Sequence, residues 1–208
     1  MAWQIDPAHT RVTFSARHMM ISNVHGQFAT VAGAVEFDEQ DPVRSAVDVQ
    51  IEAASIDTGE PQRDAHLKSA DFLNVEVFPY IHFKSTRVEQ IDESHGRIIG
   101  DLAIRDVTKE VVLDVEYAGQ AKSPWGMVSA GFTARTKINR KDFGLTWNVA
   151  LETGGWLVGD TVNIAIDVEI IQQGETALND GPRSVAAGLS AHNQRTPPVA
   201  ATATGGVC

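Results

Sequence analysis

Apolar residues recur at every second position in segment after segment of this chain. That period of two is the mark of half-buried β-strands, and it leaves little room for a helical fold. Val12, Phe14, Ala16 and His18 fall on one face. Val24, Gly26 and Phe28 keep that parity, which then slips by one to Val31, Gly33, Val35 and Phe37. A one-residue slip predicts a β-bulge near Ala29 and Thr30. Val47, Val49 and Ile51 alternate with Asp48, Gln50 and Glu52, and Ile81, Phe83 and Ser85 follow Pro79. Ile98, Gly100, Leu102 and Ile104 form another run, and Val111, Leu113, Val115 and Tyr117 oppose Val112, Asp114 and Glu116. Val128, Ala130, Phe132 and Ala134 come next, and Val162, Ile164, Ile166, Val168 and Ile170 close the series with Asn163, Asp167 and Glu169 outward.

Helix signals are scarce. One segment, Glu60 to Ser69, reads as a helix, with Thr58 as its cap and Pro61 in its first turn. It has too few apolar side chains to sit inside a bundle, so it is expected to cover an opening in a sheet. About eight strands and one covering helix define an antiparallel barrel or sandwich, and a barrel removes the exposed edges. A barrel of that size is either just filled by its own side chains or holds one small ligand. Gly26, Gly33, Gly100 and Gly131 lie on or near the apolar faces. They serve tight curvature or leave internal room, and curvature is the commoner role of strand glycine.

The chain has 208 residues, enough for one domain with a sizeable core. Residues 1–173 are expected to form that domain. From Gly174 the alternation stops and Gly, Ala, Ser, Thr, Asn and Pro dominate, so residues 174–208 read as a disordered tail. The tail's charges cancel, which assigns the whole net charge of −10 to the folded part. So acidic a surface argues against nucleic acid and against electrostatic docking on anionic membranes. No apolar run approaches the ~20 residues of a membrane-spanning helix. The opening residues show no signal-peptide pattern. With its one cysteine at Cys208, the chain fits a reducing cytoplasm; a periplasmic or secreted protein whose signal has been removed is the alternative.

Motifs for chemistry are sparse. The seven histidines form neither a His-x-His nor a His-Glu-x-x-His pair, so a metal site has weak support. No phosphate-binding loop or dinucleotide fingerprint appears, and no cofactor is expected. No nucleophile elbow appears either. His18 shares the apolar face of Phe14, as a satisfied core histidine or as a polar contact inside a pocket. Thr136 to Trp147 packs Arg140 and Lys141 among Phe143, Leu145 and Trp147 at a strand end. These cations are either a solvated rim or partners for an anionic ligand head. Phe14, Phe72, Phe83, Trp125 and Phe132 serve as core or as ligand wall.

Four stretches carry a resemblance to the YceI-like family of lipocalin-like, polyisoprenoid-binding proteins. The first runs from Trp3-Gln4-Ile5-Asp6-Pro7-Ala8-His9-Thr10 to His18, and the second from Asp71-Phe72-Leu73-Asn74 through Pro79 to Ser85. The third is Gly100-Asp101-Leu102-Ala103-Ile104-Arg105-Asp106-Val107-Thr108-Lys109, and the fourth Asn139-Arg140-Lys141-Asp142-Phe143-Gly144-Leu145 with Trp147. The family pattern often has His-Gly where this chain has Arg105-Asp106.

The resemblance implies an all-β, eight-stranded antiparallel lipocalin-like barrel with a short covering helix and an apolar channel. It implies non-enzymatic binding, sequestration or transport of a long isoprenoid (a polyprenyl phosphate or isoprenoid quinone) or a fatty-acid-like surrogate, and a homodimer. On this basis Phe14, His18, Phe72, Phe83, Trp125, Phe132, Arg140, Phe143, Leu145 and Trp147 are the expected ligand-binding residues. Two alternatives stand beside it: an enzyme acting on such a lipid through His18, and a stress-response partner protein whose barrel is filled by its own side chains.

Overall fold

The computed structural model describes residues 3–152 and 154–172. The tail expected over residues 174–208 lies outside the described residues. The strands are β1 (Trp3–Ile5), β2 (Arg11–His18), β3 (Ser22–Phe28), β4 (Val31–Glu36), β5 (Ala46–Glu52) and β6 (Ile56–Asp57), followed by β7 (Tyr80–Gln90), β8 (His95–Ile104), β9 (Val107–Lys122), β10 (Val128–Asn139) and β11 (Val158–Gln172). One α-helix, α1 (Pro61–Lys68), lies between β6 and β7.

All pairings are antiparallel, and the sheet closes where β11 meets β1, with Trp3 opposite Gln172 and Ile5 opposite Ile170. β11 continues past that point to pair with β2, so β1 and β2 are two halves of one barrel strand. β3 with β4, and β5 with β6, are likewise broken halves that pair in step with β2 and β1. Counting each broken pair once gives an eight-stranded up-and-down barrel.

The breaks have local causes. Between β3 and β4, Ala29 donates its N–H to Ser55 O, while Thr30 O accepts from Glu52 N. The slip expected there as a bulge is a break between two strands, matched by the break between β5 and β6. Between β1 and β2 the chain loops out over Asp6 to Thr10. Asp6 N donates to Glu169 O at 2.8 Å, and the Asp6 carboxylate accepts from Ala8 N at 2.9 Å and pairs with His9 Nδ1 at 2.8 Å.

The helix forms where the pattern placed it, but its cap differs. Glu60, directly before Pro61, accepts from the N–H groups of Gln62 and Arg63 at 3.2 and 2.7 Å. Thr58 lies too far upstream for that task and instead bonds Asp64 and Arg63 through its hydroxyl. Among the glycines, a Cβ on Gly100 would stand 2.4 Å from Lys84 O, so the missing side chain lets the neighbouring strand approach. A Cβ on Gly26 would stand 2.4 Å from the Phe14 ring. Neither position leaves free space, in line with the curvature role.

The chain direction sorts the loops to two ends. The β4–β5 connection and the β7–β8 and β9–β10 turns sit at one end. The β2–β3 and β8–β9 turns, α1 and residues 140–152 and 154–157 sit at the other. One core cluster, including Leu73, Phe83, Leu102, Ile138, Phe143 and Leu145, fills the helix end. A second, built on Trp3, Ile5, Ala130 and Ile170, supports the opposite end.

Candidate functional site

The barrel encloses an apolar channel of about 570 Å³, within the ~300–1,000 Å³ usual for small-molecule sites. Its wall is the inward parity of the strands. Val12, Phe14 and Ala16 come from β2, Val47, Val49 and Ile51 from β5, Val111, Leu113 and Val115 from β9, and Ile164, Ile166 and Val168 from β11. The interior is therefore not filled by side chains, contrary to the filled barrel of that alternative.

At the helix end the channel has a closed floor. Leu67 of α1, the buried Phe72 and Leu73, and Leu145 cover it, together with Arg140 at 3% exposure. The Arg140 guanidinium is consumed by its own chain. Nε donates to Gly159 O at 3.0 Å; one terminal nitrogen donates to Leu145 O and to Trp147 O at 2.9 Å. The other terminal nitrogen donates to Val158 O and Asp160 Oδ1, each at 3.4 Å. The five N–H donors of an arginine thus all have partners. Burial pulls its pKa below the ordinary value, with Asp160 acting in the other direction. Lys141 is also paired, its Nζ 2.9 Å from Asp160 Oδ2 and stacked 5.9 Å over the Trp156 ring. Both cations of this motif are already paired within the chain, so of the two readings left open for them neither the free head-group partner nor, for the buried Arg140, the solvated rim describes what is seen. Arg140 instead ties the loop after β10 to the start of β11.

At the other end the channel opens. Just inside, Phe37 meets Trp3, Tyr117 and Phe132 with ring centroids 5.2–5.8 Å apart. Above this throat the lining includes the exposed Glu39, Gln40, Glu89, Asp92, Glu93, Ser94, His95 and Arg97. Asp92 is held down at about 2 by the Ser94 N–H and the His95 ring. Burial raises the Tyr117 pKa, against the lowering effect of its hydrogen bond with Gln120 and with a smaller upward push from Glu39.

Of the expected site residues, Phe14, Phe72, Phe83, Phe132, Arg140 and Leu145 line the channel. The others do not. Trp125 is 84% exposed at the tip of the β9–β10 turn, because the hairpin carries it beyond the barrel. His18 sits at the end of β2, past the channel lining, so its inward parity does not bring it to the cavity. Phe143 is buried in the core beside the floor. Trp147 packs outside it, against His66 at 4.5 Å and Phe72 at 5.3 Å. Missed as site residues were Phe37 and Tyr117, although strand parity already turned both inward.

The Arg105 departure also has a place. It occupies the β8–β9 turn at φ +57°, donates to Phe72 O at 3.2 Å and lies 5.7 Å over the Phe78 ring. It thereby ties this turn to the segment that covers the floor. Among the described residues, one group, Asp6, His9 and Glu169, brings possible cation ligands within 4.8 Å of one another, outside the channel.

An up-and-down barrel around a one-ended apolar channel defines a lipocalin-like, binding-type β-barrel. The chain belongs to the YceI-like family: the model of the YceI-like domain matches residues 3–170. It is 39% identical over 165 residues to Protein YceI of Shigella flexneri, covering 79% of this chain and 83% of that one. A crystal structure of the Campylobacter jejuni YceI protein superposes with a TM-score of 0.66 at 34% identity, covering 76% of this chain and 90% of the other. A polyisoprenoid binding domain from Saccharophagus degradans, implicated in plant cell wall breakdown, shares the fold with a TM-score of 0.56 at 11% identity, covering 82% and 98%.

Proposed function

We propose that this protein binds one long isoprenoid chain in the channel, and that it holds or carries the molecule without converting it. The observation behind this is the continuous apolar wall from throat to floor, whose floor cation already has its hydrogen-bond partners. A wall of that kind offers a guest burial and little else. At roughly 0.8 kcal/mol per buried CH₂, a long chain gains enough from burial alone to bind. The polyisoprenoid-binding description of the Saccharophagus degradans domain, which shares the fold, supports an isoprenoid tail in particular.

Ala134 gives the direct test, because it is small, 9% exposed and part of the wall. Ala134→Phe is expected to fill the channel and abolish retention of added geranylgeraniol in native mass spectrometry, with the far-UV circular dichroism unchanged. Undiminished loading in that variant would count against an interior site. Ala130, on the same strand face, lies at 0% exposure in the second core cluster and outside the lining. Enlarging it would disturb packing and not occupancy.

A further inference from the structure

The two ends of the channel differ in charge in a way that bears on the ligand's head, granted the isoprenoid-binding reading above. The floor is closed by buried residues, so a long chain enters tail first and leaves its polar end at the throat. The floor offers that end nothing, since Arg140 is fully bonded to its own chain. The mouth is lined by the carboxylates of Glu39, Glu89, Asp92 and Glu93. Glu89 is paired with Arg87 at 3.0 Å and Asp92 with His95 at 3.0 Å, whereas Glu39 and Glu93 have no ion-pair partner among the described residues. Arg97 is the one Lys or Arg side chain lining this end among the described residues, and its Nε is 3.2 Å from Asp114.

From this we propose that the channel selects isoprenoids with an uncharged polar head, and that the carboxylate rim discriminates against phosphate-ended chains. A phosphate at the throat would bring up to two more negative charges well inside a Debye length of the rim. An uncharged hydroxyl suffers no such repulsion and can donate a charge-assisted hydrogen bond to a rim carboxylate. The sign is the reverse of the expectation built on Arg140 and Lys141, because those cations lie at the closed end.

Geranylgeraniol and geranylgeranyl phosphate share one tail and differ only in the head, so they serve as probes. Their affinities for the full chain are compared by competition against one fluorescent isoprenoid alcohol. At low salt the alcohol is expected to bind at least about tenfold more tightly. The gap should narrow at high salt and in the Glu39→Gln, Glu93→Gln double variant. The phosphate's higher solubility in water acts on both proteins alike, so the change between them isolates the rim. Equal or tighter phosphate binding overturns the proposal and leaves the channel reading standing. An alcohol preference that ignores both salt and the substitutions also overturns it. Binding of neither probe overturns the channel reading, and the proposal with it.

Discussion

Arg140 shows how much one side chain can decide. An isolated buried cation is costly, yet this one is stable because backbone oxygens of Leu145, Trp147, Val158 and Gly159 surround it. Replacing it with Leu strips those carbonyls of a shared donor in a place water cannot easily reach. Arg140→Leu is expected to lower stability by about 3 kcal/mol, read as a lower urea midpoint at an unchanged slope. Lysine should rescue only part of the loss, since a single ammonium cannot span the fork.

His9 makes a second prediction at this scale. Its pKa is raised by the Asp6 hydrogen bond, then by the charges of Asp6 and Glu169. A raised histidine contributes stability below its unfolded value of 6.5 and loses that contribution as pH climbs through the folded value. Asp6→Asn should therefore shift the His9 midpoint downward in an NMR titration. No shift in that midpoint would remove Asp6 as the cause.

Among elements, the β2–β3 hairpin departs most from local preference. Met19 and Met20 adopt φ of +49° and +63°, a turn conformation that ordinarily selects Asn and Gly. Bulky residues held there cost on the order of 1 kcal/mol or more each. Replacing the pair by Asn-Gly should raise the melting temperature by a few degrees. An unchanged or lower melting temperature would mean that contacts of the methionine side chains outweigh the turn strain. The glycines within strands act in the opposite sense. Gly100→Ala forces a methyl against Lys84 O and should destabilise the β7–β8 pair by about 1–3 kcal/mol.

At the scale of the whole molecule, the barrel is a container closed at one end, and its stability should depend on its contents. A ligand that binds the folded chain alone stabilises it by about 2.7 kcal/mol at a free concentration one hundred times its dissociation constant. Geranylgeraniol is therefore expected to raise the melting temperature in a concentration-dependent manner. The same titration on Ala134→Phe should be flat, which would separate occupancy of the channel from surface adsorption.

The period of two was enough, by itself, to define which residues face inward on nearly every strand, because side-chain direction alternates strictly along extended backbone. Its slip at Ala29 and Thr30 marked the break between β3 and β4, and its lapse marked the covering helix. The motifs around Trp3, Phe72, Thr108 and Arg140 were legible as a family resemblance, and that resemblance carried the barrel over the sandwich. What parity cannot specify is position along the barrel axis. His18 and Phe14 share a face, but only Phe14 reaches the channel. Trp125 has the composition of a ligand wall and sits at a hairpin tip. The partners of Arg140 come from residues up to 20 positions away, and which end of the barrel is open depends on where several separate loops converge. Only the tertiary structure settles these points, because closure is a relation between distant segments and is not written in the period of any one of them.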